Sequence, residues 1–154
     1  MKNMKVVFIV VGLMIGSSLM AGQAESENLI ASAKAEAGEM APAQLKEMLD
    51  NDKKVIVMDI REENQRAEGE VYAPSTMAIT RGNLEFEVLN KIKDKNAVIV
   101  TYCRGGSRGA LAAQTLKKLG YVNATNLKGG LKGWAELGYP IETGMGITHL
   151  SKEQ

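Results

Sequence analysis

The chain has 154 residues, enough for one ordinary domain and not two. Its 19 Lys and Arg nearly balance 18 Asp and Glu, which argues against a dedicated nucleic-acid binder; 45% hydrophobic and 24% charged residues is the composition of a folded domain. One cysteine excludes an internal disulfide framework, an internal redox pair and a multi-cysteine zinc site, and one histidine speaks against a His-based metal cluster or a His-dependent triad, so neither metal nor cofactor is expected.

Residues 1–24 read as an address. Lys2 and Lys5 open it, Val6 to Met20 runs without a charge, and Gly22-Gln23-Ala24 fits a small-residue cleavage rule. The apolar run falls short of the ~20 residues that span a bilayer, which predicts cleavage and no stable membrane insertion afterwards. The expected location is outside the cytoplasm, and the periplasm if the host has two membranes. Removal of 1–24 leaves 17 basic against 18 acidic residues and a single cysteine. In an oxidising compartment an unpaired thiol points to a reactive group.

Residues 25–38 are rich in Ala and Glu and predict a linker or a surface helix. The folded domain is expected over 39–146, with a tail at 147–154. Pro42 opens a helix whose buried face is Leu45, Met48 and Leu49. Val55 to Met58, ending at Asp59, predicts a strand. So does Ala97 to Val100, which continues through Thr101 and Tyr102 to Cys103. Weaker strands are expected at Met77–Ile79 and Ala124–Leu127. Unbroken apolar runs suit strands covered on both faces of a parallel sheet. Ala112, Thr115, Leu116 and Leu119 mark a helix with Lys117 and Lys118 in its last turn and Gly120 at its end. Gly129 to Trp134 turns into a short helix, with Trp134 as a core anchor. The fold class is therefore α/β, a central mostly parallel sheet with helices on both faces.

The stretch that carries chemistry is Cys103-Arg104-Gly105-Gly106-Ser107-Arg108, between a buried strand and a helix. Ligands of open α/β sheets bind outside the carboxyl ends of strands. The two glycines let backbone N–H groups converge, and such a nest at a helix N-terminus attracts negative charge. The same field holds more of a cysteine as thiolate, so no general base is needed. Arg104 and Arg108 add fork-shaped donors suited to an oxyanion.

These residues resemble the active-site loop of the rhodanese-like sulfurtransferases, whose pattern is Cys-x-x-Gly-x-Arg. Asp59-Ile60-Arg61-Glu62 is similar to the family's element after its second strand. Arg81-Gly82-Asn83-Leu84-Glu85-Phe86 resembles the segment before the catalytic strand. Leu119-Gly120-Tyr121, Asn126-Leu127-Lys128-Gly129-Gly130, Trp134 and Gly138-Tyr139-Pro140 resemble the C-terminal signature. The resemblance implies a rhodanese-like fold and a sulfurtransferase of the thiosulfate type. Cys103 would take a sulfane sulfur from a small sulfur-containing anion, hold it as a persulfide and pass it to cyanide or a thiol, which a thiol protein could supply. The loop amides, Arg104 and Arg108 would bind the donor's oxyanion end. The six-residue span from Cys103 to Arg108 implies sulfur transfer, where phosphatase-like relatives have seven. A reductase of the usual kind needs resolving thiols that the chain lacks. The alternative is a persulfide carrier or sulfur-compound binding module that acts with a partner protein and turns over little.

The chain departs from the family pattern around this loop. Gly69-Glu70-Val71 stands where Gly-His-Ile is usual, Gln65-Arg66 where Glu and an aromatic are usual, and Gly109 where Ser or Thr is common. These changes bear on the rim and so on substrate or partner. Asp59 and Arg61 are expected to brace loops through hydrogen bonds or an ion pair. Glu62, Glu63, Glu68 and Glu70 read as a solvated helix face, His149 as exposed and unpartnered, and the methionines outside 1–24 as packing.

Overall fold

The computed structural model describes residues 21–149. Most of the segment expected to be cleaved, 1–20, and the end of the expected tail, 150–154, lie outside the described residues. The chain falls into two units that part between Ser32 and Ala33. The first is described from residue 21, and it is helical throughout that part. This helix, α1, ends at residue 37 within the second unit.

The second unit continues with β1 (Glu39–Met40), α2 (Pro42–Asp50), β2 (Ile56–Asp59), α3 (Glu63–Arg66), β3 (Glu70–Val71) and β4 (Thr76–Ala78). A single 3-10 turn (Arg81–Asn83) leads into α4 (Leu84–Lys91). Then come β5 (Ile99–Tyr102), α5 (Ser107–Lys118), β6 (Ala124–Leu127), α6 (Gly130–Glu136), β7 (Ile141–Thr143) and β8 (Gly146–Thr148). Five strands form a sheet in the order β1-β6-β5-β2-β4, and every neighbouring pair is parallel. β5 holds the middle, with Ile99 opposite Ile56 on one side and Ala124 on the other.

Side-chain alternation splits this sheet between two cores. Val57, Val100, Tyr102 and Leu127 face one way and pack with Leu45 of α2 and Leu131, Trp134 and Ala135 of α6. Met58, Ile99 and Ala124 face the other and pack with Leu84 and Val88 of α4 and Ala112 and Leu116 of α5. Helices therefore cover both faces, as the unbroken apolar strands require. Trp134 is fully buried, donates its Nε1–H to the Pro140 carbonyl at 2.8 Å and meets Tyr139 edge-on.

The boundaries differ from the expectation in small ways. The strand expected at 77–79 is shifted to 76–78, and the one expected from Ala97 through to Cys103 is confined to 99–102. A three-stranded antiparallel sheet, β3-β7-β8, was not foreseen. Its strands have two or three residues, too few to display a period. The Ala/Glu-rich stretch is helix rather than linker, and Ala33 and Ala37 are buried in the second unit.

Candidate active site

The six residues from Cys103 to Arg108 lead from the end of the central strand into the first turn of α5. Cys103 follows β5 directly and is 3% exposed. One side of it packs into the apolar cluster of Met58, Ile60, Ile99, Ala112 and Leu116. The sulfur itself is not sealed in hydrocarbon: Sγ accepts the N–H of Gly106 at 3.1 Å. Gly106 has φ +96 and sits at the N-terminus of α5, and this left-handed turn is what returns its amide to the sulfur.

The amides of Arg104, Gly105, Ser107, Arg108 and Gly109 have no hydrogen-bond acceptor among the described residues. The reason lies in α6. Leu131 donates its N–H to the Cys103 carbonyl and Lys132 to the Arg104 carbonyl, both at 2.9 Å. A trans peptide points its N–H opposite its C=O. Anchoring these carbonyls on α6 therefore turns the amides of Arg104 and Gly105 away from it. The approach is close enough to demand glycine at 130. A Cβ there would lie 2.4 Å from the Cys103 oxygen and 2.8 Å from that of Arg104. Free amides at the start of a twelve-residue helix are donors available to an anion.

The two loop arginines do not stand free. Arg104 is 76% exposed, and its Nε lies 3.5 Å from Oε2 of Glu68, which is 50% exposed. Arg108 is half-buried and donates from Nη2 to Oε1 of Gln65 at 2.8 Å. Both partners belong to residues 65–68, at the end of α3 and just after it. Gln65 is one of the departures from the family pattern, whereas in sequence Glu68 is one acid of an expected solvated face. Its proximity to Arg104 arises from tertiary placement across 36 positions of sequence and has no local signal.

Asp59 and Arg61 brace this rim, as expected. Arg61 is fully buried. Its Nη2 meets Asp59 Oδ2 at 2.6 Å and its Nε meets both carboxylate oxygens at 3.0 Å. The same guanidinium donates to the Gln65 carbonyl at 2.9 Å and the Gly69 carbonyl at 2.7 Å, pinning the segment that carries Glu68. Glu68 Oε2 also lies 3.8 Å from Arg61 Nη1. Burial works against the charge on Arg61, but Asp59, through its hydrogen bonds and its charge, outweighs it and holds the guanidinium above its ordinary pKa. Tyr102 lies beside this pair and accepts the Val71 N–H at 3.2 Å. Burial, followed by the Asp59 charge, pushes its phenol well above the ordinary value. His149 is exposed as expected but not unpartnered: its Nδ1 lies 2.9 Å from the Gly138 carbonyl.

A strand-end cysteine in an amide-rich turn at a helix N-terminus, on a five-stranded parallel sheet, defines a class of α/β proteins that set one sulfur among backbone donors. Residues 41–137 match the rhodanese-like domain family, and the chain belongs to that family. A sulfurtransferase of Allochromatium vinosum is 31% identical over 103 residues, which is 67% of this chain and 92% of that protein. The polysulfide-sulfur transferase homodimer of Wolinella succinogenes has a similar structure, with TM-score 0.68 at 26% identity, covering 77% of this chain and 88% of that one. A thiosulfate sulfurtransferase of Pseudomonas aeruginosa shares the fold, with TM-score 0.67 at 21% identity over 82% of this chain and 25% of that one. The family and its sulfurtransferase relatives make this chain a single-domain rhodanese-like sulfurtransferase.

Proposed function

We propose that Cys103 carries the transferred sulfur as a persulfide, taken from thiosulfate or a similar donor. The Cys103 thiolate attacks the outer sulfur of thiosulfate, a new S–S bond forms, and the old S–S bond breaks with its electron pair leaving on sulfite. Cyanide or a thiolate then attacks the outer sulfur of the persulfide. Cyanide leaves as thiocyanate, and the electron pair of the broken bond returns to the Cys103 sulfur. No net oxidant or reductant is needed, and each step begins and ends with one negative charge at the cysteine.

The observation that carries this reading is the Gly106 N–H on Sγ, within a turn whose other amides have no protein acceptor. Donors already in place stabilise charge on the inner sulfur, and free ones suit the outer sulfur or the donor's oxygens. Arg104, exposed at the rim, draws the anionic donor in. We place the activity outside the cytoplasm, on the strength of the 1–24 pattern; an N-terminus at residue 25 on protein recovered from the exported fraction tests this.

Purified protein should form thiocyanate from thiosulfate and cyanide over many turnovers, and Cys103→Ser should not. Equal turnover by the serine variant would end the reading. Arg104→Ala should leave the fold intact and lower kcat/KM for thiosulfate about tenfold, the scale of one charged hydrogen bond. An unchanged kcat/KM would remove Arg104 from the donor site. The second reading, a persulfide carrier for a partner protein, is favoured by the near-complete burial of Cys103 and by the carboxylate beside Arg104. It predicts one added sulfur on Cys103 with multiple turnover near background.

A further inference from the structure

We infer that Glu68 is a specificity-determining residue of the sulfur-transfer site: it partly offsets Arg104 and so weakens the turn's preference for dianionic over singly charged sulfane donors. The inference rests on the proposed reading of Cys103 and names the substrate class of that site.

Three arginines lie in or beside the turn. Arg61 is cancelled by Asp59 at 2.6 Å in a buried pair. Arg104 has Glu68 at 3.5 Å. Arg108 is held by the neutral amide of Gln65 and has no carboxylate partner among the described residues. Arg66, on the same segment as Gln65, donates to the Arg61 carbonyl at 3.0 Å and also has no carboxylate partner among the described residues. The rim thus keeps a net positive charge, which Glu68 lowers by one beside Arg104. A second charge on the donor has to displace Glu68 or sit near it.

Glu68 is not a loosely placed surface acid. The carbonyls on either side of it in the chain, those of Gln65 and Gly69, are both fixed by the buried Arg61 guanidinium. That clamp supplies Arg104 with a built-in anion from a different element. The carboxylate then competes with any anion approaching Cys103, and its effect is largest for the most highly charged one.

The test uses two donors of different charge, thiosulfate and benzenethiosulfonate, with Glu68→Gln, Glu68→Asp and Arg104→Ala. At low salt Glu68→Gln should raise kcat/KM for thiosulfate about two- to fivefold, the size exposed charge pairs carry. The change should fall on KM, be smaller for the monoanion, and shrink at high ionic strength. Glu68→Asp should keep the wild-type ratio of the two donors. Adding Glu68→Gln to Arg104→Ala should still raise kcat/KM for thiosulfate, since the carboxylate then faces the donor with no guanidinium beside it.

A second readout is independent of sulfur transfer. The chain has one cysteine, so alkylation reports on Cys103 alone. Glu68→Gln should raise the rate with anionic iodoacetate relative to neutral iodoacetamide, by the smaller factor expected of a singly charged reagent. An unchanged alkylation ratio at low salt would overturn the role of Glu68, whether or not the protein turns over. Absence of thiocyanate with either donor, together with a raised ratio, would instead retire the proposed reaction and keep Glu68 as the residue that sets anion access.

Discussion

At the scale of single residues, the most consequential group after Cys103 is Arg61. A fully buried guanidinium is tolerated because one carboxylate and two carbonyls take its donors. Arg61→Met should destabilise the protein by about 3–5 kcal/mol, because it leaves Asp59 charged, buried and unpaired. The double variant Asp59→Leu with Arg61→Met should recover much of that loss in urea unfolding. Additive losses instead would mean the pair is not the unit that matters. Tyr102 supplies a pH signature. Its phenol is raised in the folded state by burial and by Asp59, so folding favours the protonated form. Stability from this group is complete below the ordinary phenol value of about 10 and falls as pH rises above it. Tyr102→Phe should flatten that alkaline decline, at the cost of the Val71 bond. The asymmetry between Asp59–Arg61 and Glu68 shows what sequence can and cannot reveal. A charged pair two positions apart at a strand end announces a local brace. A glutamate whose partner is 36 positions away carries no such mark, and on composition alone it is one more surface acid.

At the scale of elements, the site is made by two helices meeting one strand. α5 offers its N-terminus to Cys103, while α6 takes the carbonyls of Cys103 and Arg104 and so turns the amides of Arg104 and Gly105 away from itself. Gly130→Ala tests this division of labour. The added methyl would fall 2.4 Å from a backbone oxygen, at a residue with φ +59. A loss of about 1–3 kcal/mol is expected, together with slower alkylation of Cys103 as the turn is displaced. Unaltered alkylation would show that α6 does not set the loop. The strands and helices built from bulky residues were legible, because Val, Ile and Leu in runs or at helical spacing declare a buried surface. Helix α1 was ambiguous because its buried positions, Ala33 and Ala37, are small and leave no apolar stripe. The paired strands β3, β7 and β8 depend on contacts between distant segments and have too few residues to show alternation.

At the scale of the whole domain, parallel pairing explains why the chemistry lies where it does. All five strands of the main sheet run the same way, so their carboxyl ends share one edge. β5 lies at the centre, flanked by β2, whose end carries Asp59, and by β6, which leads to Gly129 and Gly130. The cysteine, its brace and the glycines that shape its turn thus converge from three strand ends. The loop and its order of flanking motifs could be read directly, which is why the family resemblance held over residues 41–137. The central claim is that Cys103 accepts a sulfur and gives it up. Intact protein treated with thiosulfate and freed of excess donor should gain the mass of one sulfur atom, located on Cys103. Cyanide should then remove it and yield one equivalent of thiocyanate. An unmodified Cys103 under conditions where thiosulfate is consumed, or an added sulfur that cyanide cannot release, would contradict it.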